Sequence, residues 1–174
     1  KIKYFLKSKK YFFSFIIILI LVVISCSDIK DNRVLFGKLK SGENVYKYLL
    51  TNDSCEIEVI TYGGIIKSIK VPDKNNRLID IALGFNNFES YLNDHPYFGA
   101  IVGRYANRID NGKFLINNIE YNLPVNNNGT SLHGGLKGFD KVNWDVISYD
   151  SKDKRYIKLN YLSKIDKIFF RIKP

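Results

Sequence analysis

Two short stretches carry side chains whose types and spacing suit recognition of a ligand dense in hydroxyls. Leu132-His133-Gly134-Gly135 sets an imidazole directly before two glycines. Histidine gives or takes a proton near neutrality without special tuning, and glycines let a ligand approach without meeting a Cβ. Upstream, Gly103-Arg104-Tyr105-Ala106-Asn107-Arg108-Ile109 gathers two guanidinium groups and an amide between an apolar run and the turn signal Asp110-Asn111-Gly112. Arginine and asparagine present hydrogen-bonding groups in fixed planar geometry, which suits neighbouring hydroxyls. Taken alone, each keeps a plainer reading: His133 also fits a loop imidazole that caps backbone groups, and Asn107 also fits a residue shaping the turn before Asp110.

These residues sit inside a longer pattern. In order and spacing, His95-Pro96-Tyr97-Phe98-Gly99, Gly103 to Ile109, Tyr121-Asn122-Leu123-Pro124, Ser131 to Gly135 and Gly138-Phe139-Asp140-Lys141 resemble the N-terminal half of the aldose 1-epimerases, also called galactose mutarotases. Several motifs in register are harder to obtain by chance than one short pattern. The resemblance covers roughly residues 36 to 162. It implies a large antiparallel β-sandwich, interconversion of the α and β anomers of galactose or glucose, and sugar contacts from Asn107, Arg108 and His133. Opening a pyranose means taking the proton from the anomeric hydroxyl and protonating the ring oxygen, which needs a paired base and acid. In the family that pair is a glutamate and a second histidine from the other half. Both are therefore expected beyond Pro174, and the chain by itself is expected to be inactive. The implied partner is an aldohexose bound by a monomer, with no cofactor; calcium has no support in the sequence. The second reading is a noncatalytic sugar-binding lipoprotein of the cell envelope.

The remaining polar residues near these motifs read as supports. Arg104 is expected to be ion-paired, His95 to pack or hydrogen-bond ahead of Pro96, and Asp140 and Asp145 to cap loops. Trp144 reads as core at a strand start rather than as a stacking platform. There is no serine nucleophile elbow, no phosphate-cradling glycine loop and no metal-ligand spacing.

The elements that must hold these groups are strands. Arg33 to Leu39, Asn44 to Thr51, Cys55 to Thr61, Ile65 to Val71 and Leu78 to Leu83 alternate or run apolar between Ser41-Gly42, Gly63-Gly64 and Pro72-Asp73-Lys74-Asn75-Asn76. Lys113 to Ile116 and Ile119 to Leu123 flank Asn117-Asn118, the signature of a two-residue hairpin. Trp144 to Asp150 and Arg155 to Leu162 make the last pair. Residues 84–94 break the pattern and read as a functional insert with one helical turn over Phe88 to Leu92. Gly99 to Val102 reads as short and buried, Pro124 to Gly129 as irregular chain delivering His133, and Cys55 as a buried small apolar residue. Strands about every eight to twelve residues with turn signals between them argue an all-β sandwich, with one body domain over residues 34–162.

The N-terminus reads as a targeting segment. Five lysines precede Phe12 to Ile24, where Ser14 is the lone polar residue, and thirteen residues is short for a membrane span. Val23-Ile24-Ser25-Cys26 resembles a bacterial lipobox. It implies a signal peptide over residues 1–25, acylation of Cys26, a tether over 26–33 and an envelope location on a membrane. Residues 163–174 form a basic Ile- and Lys-rich tail read as aberrant or truncated. The charge is concentrated at these ends: of the net +10, the leader holds five and the tail three, so the body keeps +2. A nucleic-acid partner is thereby excluded as the reason for the basic balance.

Overall fold

The computed structural model describes residues 33–93 and 95–163, all within one unit that starts at Arg33. The leader, Cys26, the tether as far as residue 32 and the tail after Ser163 lie outside the described residues. Strand β1 (Val34–Lys38), β2 (Asn44–Thr51), β3 (Glu56–Ile60), β4 (Ile65–Pro72) and β5 (Leu78–Asp80) form a five-stranded antiparallel meander in sequence order. Turn chemistry sets this register. The Asn52 carboxamide takes the Ser54 N–H at 2.9 Å between β2 and β3. Between β4 and β5 the Asp73 carboxylate takes the N–H groups of Asn75 and Arg77 at 2.7 and 2.9 Å, and its second oxygen holds the Arg77 guanidinium. The acid, more than the proline before it, closes that turn.

Across the sheet, Glu58 lies between Lys47 and Lys67, at 2.5 and 2.8 Å. Burial alone would push its carboxyl up, but the hydrogen bonds and charges of the two lysines outweigh burial and hold it below the ordinary carboxylate value. Lys47 pairs directly with Ile60, so this charged cluster lies on the same face of the sheet as the core residue Ile60.

The apolar part of that face is closed by the segment read as a functional insert. A single helical turn, α1 (Glu89–Leu92), places Phe88 and Tyr91 at 2% and 1% exposure against Val45, Ile60, Tyr62 and Ile65. Phe88 meets Tyr62 edge to face at 5.6 Å between centroids, and the Tyr91 hydroxyl accepts the Phe85 N–H at 2.8 Å. Burying two aromatic rings stabilises by about 1.5–3 kcal/mol each, so this stretch is a plug of the core and not a free loop. Gly99 to Val102 differs from expectation in the other direction, since Ile101 stays 36% exposed. Cys55 is half-buried at the edge of β3, not fully enclosed.

The second part of the chain is built of ribbons. β6 (Arg108–Asp110) pairs with β9 (Thr130–Leu132), β7 (Lys113–Ile116) with β8 (Ile119–Asn122), and β10 (Asp145–Asp150) with β11 (Tyr156–Asn160), all antiparallel. Asn117 and Asn118 both have positive φ, 50° and 63°, as the expected two-residue hairpin requires. Strands β6 and β9 were hidden in stretches read as turn and loop. The architecture is all-β, as expected.

One short connection ties the sheet to the later segments of the chain. Between β3 and β4, Gly63 N–H donates to the Val142 carbonyl at 2.7 Å and the Gly63 carbonyl takes the Ile101 N–H at 2.9 Å. The Trp144 N–H donates to the Thr61 carbonyl at 2.9 Å. Residues 99–103 and 138–144 therefore hang from the same four-residue segment.

Candidate functional site

The β6–β9 ribbon ends with Arg108 opposite Leu132, which puts Asn107 opposite His133. An antiparallel pair in this position normally exchanges two N–H···O=C bonds. Here His133 N–H does donate to the Asn107 carbonyl at 3.0 Å. The return bond goes elsewhere: Asn107 N–H donates to Nδ1 of the His133 ring, also at 3.0 Å. The imidazole stands where a strand carbonyl would be. Both residues leave the ribbon with left-handed backbone, φ 66° for Asn107 and 53° for His133.

This bond decides the ring's chemistry. A backbone N–H can only donate, so Nδ1 carries the lone pair and, in the neutral ring, Nε2 carries the proton. His133 therefore offers an outward N–H donor. The Tyr97 ring backs the imidazole edge to face at 4.7 Å, and Lys141 Nζ lies 5.6 Å from the centre of that same ring. Tyr97 was visible in the sequence only as part of a motif; its role as a wall behind the imidazole comes from the fold.

Arg108 is tied to the same corner. Its guanidinium reaches the side-chain oxygens of Asn107 at 3.3 Å and Asn127 at 3.4 Å. Charge-assisted bonds of full strength are shorter, about 2.7–2.9 Å, so these contacts orient the group and leave donors for a ligand. The structure thus brings Asn107, Arg108 and His133 together, with Asn107 bonded to both of the others. Arg104 is not part of the corner. Among the described residues it makes no ion pair, and its guanidinium donates to the Ser163 carbonyl at 3.0 Å.

The loop after His133 needs its glycine. Gly134 has φ 95°, and a Cβ there would run into the Gly103 carbonyl oxygen. That carbonyl also accepts the Phe139 N–H at 3.2 Å, so the Arg104-side loop and the His133 loop are in backbone contact.

The other residues singled out in sequence lie behind this surface. His95 packs against Phe85, Tyr91 and Phe98, with Nδ1 buried. Asp140, 3% exposed, caps no helical turn; its carboxylate stands 3.3 Å from Lys141 Nζ. Burial and the Asp140 charge push the nearby Tyr62 hydroxyl above its usual range. These groups line a cavity of about 50 Å³, whereas small-molecule sites typically run from about 300 Å³, so no hexose fits there. Asp145 is exposed on β10. Trp144 is half-buried against Phe139 and Tyr161 and donates Nε1–H to the Phe139 carbonyl at 3.1 Å. Among the described residues, no three His, Cys, Asp or Glu side chains gather to hold a metal.

What remains is a shallow, donor-rich corner on the surface: an outward imidazole N–H, a guanidinium and a carboxamide. Such a corner binds neutral oxygens and can polarise one of them.

Comparison with known proteins agrees with the motifs. The family model described as Aldose 1-epimerase matches residues 46–167. Galactose mutarotase of Rattus norvegicus is 46% identical over 113 residues, which are 64% of this chain and 33% of that protein. Galactose mutarotase of Homo sapiens is 45% identical over 113 residues with the same shares covered. Among solved structures, galactose 1-epimerase from Lactobacillus acidophilus NCFM aligns with TM-score 0.58 and 27% identity, over 69% of this chain and 35% of that one. The aldose epimerase homologue from C. elegans aligns with TM-score 0.58 and 28% identity, over 60% and 33%. The chain spans about a third of the length of the curated relatives it matches.

Proposed function

Since the chain belongs to the aldose 1-epimerase family, we propose that Asn107, Arg108 and His133 bind an aldohexose for interconversion of its α and β anomers. The observation that carries the proposal is the Asn107 N–H bond to His133 Nδ1 at 3.0 Å, which leaves Nε2 as the protonated nitrogen, while the Asn107 side chain holds the Arg108 guanidinium. When the pyranose opens, its ring oxygen changes from an ether to a hydroxyl. A neutral N–H donor aimed at that oxygen stabilises the charge that develops on it as the C–O bond lengthens. Arg108 and Asn107 hold neighbouring hydroxyls, so that the anomeric carbon is presented in one orientation.

Moving the protons is a separate task. His95, the second imidazole of the chain, is enclosed by aromatic rings and is not placed to exchange a proton with a ligand at His133. On this reading the base and the acid come from outside the described residues. The 174-residue chain then binds galactose but leaves the spontaneous mutarotation rate unchanged. The same observation supports a second reading, in which the protein captures sugar at the cell envelope without catalysis. For its location we propose acylation at Cys26, which mass measurement of the membrane fraction checks by the added acyl mass.

The test pairs calorimetry with polarimetry, using galactose. Weak binding that is lost in Arg108→Ala and His133→Ala supports the site. No binding, or binding that both variants keep, overturns it. A mutarotation rate above the uncatalysed one in the 174-residue chain removes the need for an outside acid–base pair.

A further inference from the structure

The His133 loop is gripped from behind by one carboxamide. Asn126 lies in the irregular stretch between β8 and β9, in the run Asn126-Asn127-Asn128-Gly129. Its side-chain oxygen accepts the Leu132 N–H at 2.7 Å, and its nitrogen donates to the Leu132 carbonyl at 3.1 Å. The amide therefore meets both backbone groups of the residue just before His133. The same nitrogen donates to the Gly135 carbonyl at 3.3 Å, two residues past His133, and comes within 3.4 Å of the Tyr97 hydroxyl. Its two hydrogens serve the two carbonyls, with the longer Tyr97 contact shared. One side chain thus fixes the loop on both sides of the imidazole and touches the ring that backs it.

The geometry explains why an amide is required. β9 is three residues long and pairs with β6 along one edge, while its other edge carries a single backbone bridge, Thr130 to Asn127, that does not reach Leu132. Along its other edge Asn126 imitates a neighbouring strand, presenting one acceptor and two donors at the spacing of a backbone. A carboxylate at this position would set oxygen against the carbonyls of Leu132 and Gly135, and alanine would leave all of them unpaired. His133 itself is held at φ 53°, a conformation that costs a non-glycine residue energy and persists where neighbours enforce it.

We infer that Asn126 is a positioning residue: it holds the His133 backbone so that Nδ1 receives the Asn107 N–H and Nε2 keeps the outward proton. The inference rests on the sugar-binding reading only for its consequence, not for the tautomer. Without Asn126 the loop relaxes, Nδ1 drifts from Asn107, and the ring populates both neutral tautomers.

The test uses the 174-residue chain with Asn126→Ala and Asn126→Asp, with folding checked by the resolved ring signals of His95. Long-range nitrogen–proton correlation spectra at a pH where the ring is neutral report the tautomer of His133, and galactose titration reports binding. The unsubstituted chain is expected to show the Nε2–H form alone. Both variants are expected to show mixed tautomers and about tenfold weaker galactose binding, the loss that accompanies one misplaced donor worth about 1.4 kcal/mol. Folded variants that keep the single tautomer overturn the inference. So does unfolding of both variants, since the role is then one of stability alone. If the unsubstituted chain binds no galactose while the variants still mix tautomers, the sugar reading fails and the positioning role stands.

Discussion

Gly134→Ala should be more damaging than Gly42→Ala, although the two glycines have nearly the same backbone, φ 95° and 93°. Each alanine must adopt a left-handed conformation, at about 1–2 kcal/mol. At Gly42 nothing lies within 4 Å of the added Cβ, so that cost stands alone. At Gly134 the Cβ meets the Gly103 carbonyl, a backbone group that cannot rotate aside, with the carbonyl carbon at 2.7 Å. Relief means shifting residue 103, which loosens the Phe139 N–H bond at 3.2 Å to the same oxygen. Overpacking of this kind adds about 1–3 kcal/mol. Urea denaturation with a slope of about 2 kcal/mol per molar then separates the two midpoints by roughly 0.5–1.5 M. The pairing cancels the conformational term and leaves the contact. Coincident midpoints would mean that the two loops are not pressed together, and that the site corner lacks the backing assigned to it. Galactose affinity should fall in Gly134→Ala and hold in Gly42→Ala.

Glu58→Gln should cost about 1 kcal/mol at neutral pH, the discounted worth of a partly buried carboxylate between two lysines. Because the folded carboxyl lies below its ordinary value of 4.5, its contribution is complete above that pH and fades as pH falls through the lowered value. Denaturation midpoints of the two forms should therefore converge in acid, and a gap that widens there would refute the assignment. Tyr91→Phe removes the acceptor of the Phe85 N–H and should cost about 1–2 kcal/mol with the ring packing intact, read as a lower urea midpoint. An unchanged midpoint would show that the plug is held by its apolar surface alone.

Local rules made some of this fold readable from the sequence. The meander follows from alternation and from turns that state their own geometry, and Asn117-Asn118 names its hairpin because few residues accept two successive left-handed conformations. Strands β6 and β9 were unreadable because each has three residues and their pairs lie twenty or more positions apart. No periodicity develops in three residues, so only tertiary contact defines them. Phe88 and Tyr91 misled for a related reason: aromatic residues in a stretch without period look like a surface insert, and the five-stranded sheet they cover is invisible locally. For the candidate site, residue types and motif order indicated Asn107, Arg108 and His133. The donor direction of the imidazole depends on a single main-chain N–H, which no spacing rule reports.

The missing rung in the ribbon has a consequence for how this corner can change over time. Binding groups are often burdens on their scaffold, so that a mutation abolishing them makes the protein sturdier. Here the imidazole terminates a main-chain amide, and any substitution without a side-chain acceptor strands the Asn107 N–H along with the lost donor. Drift at position 133 is penalised twice through the same ring, once at each nitrogen, and a copy released from selection for sugar would still be slow to lose its histidine.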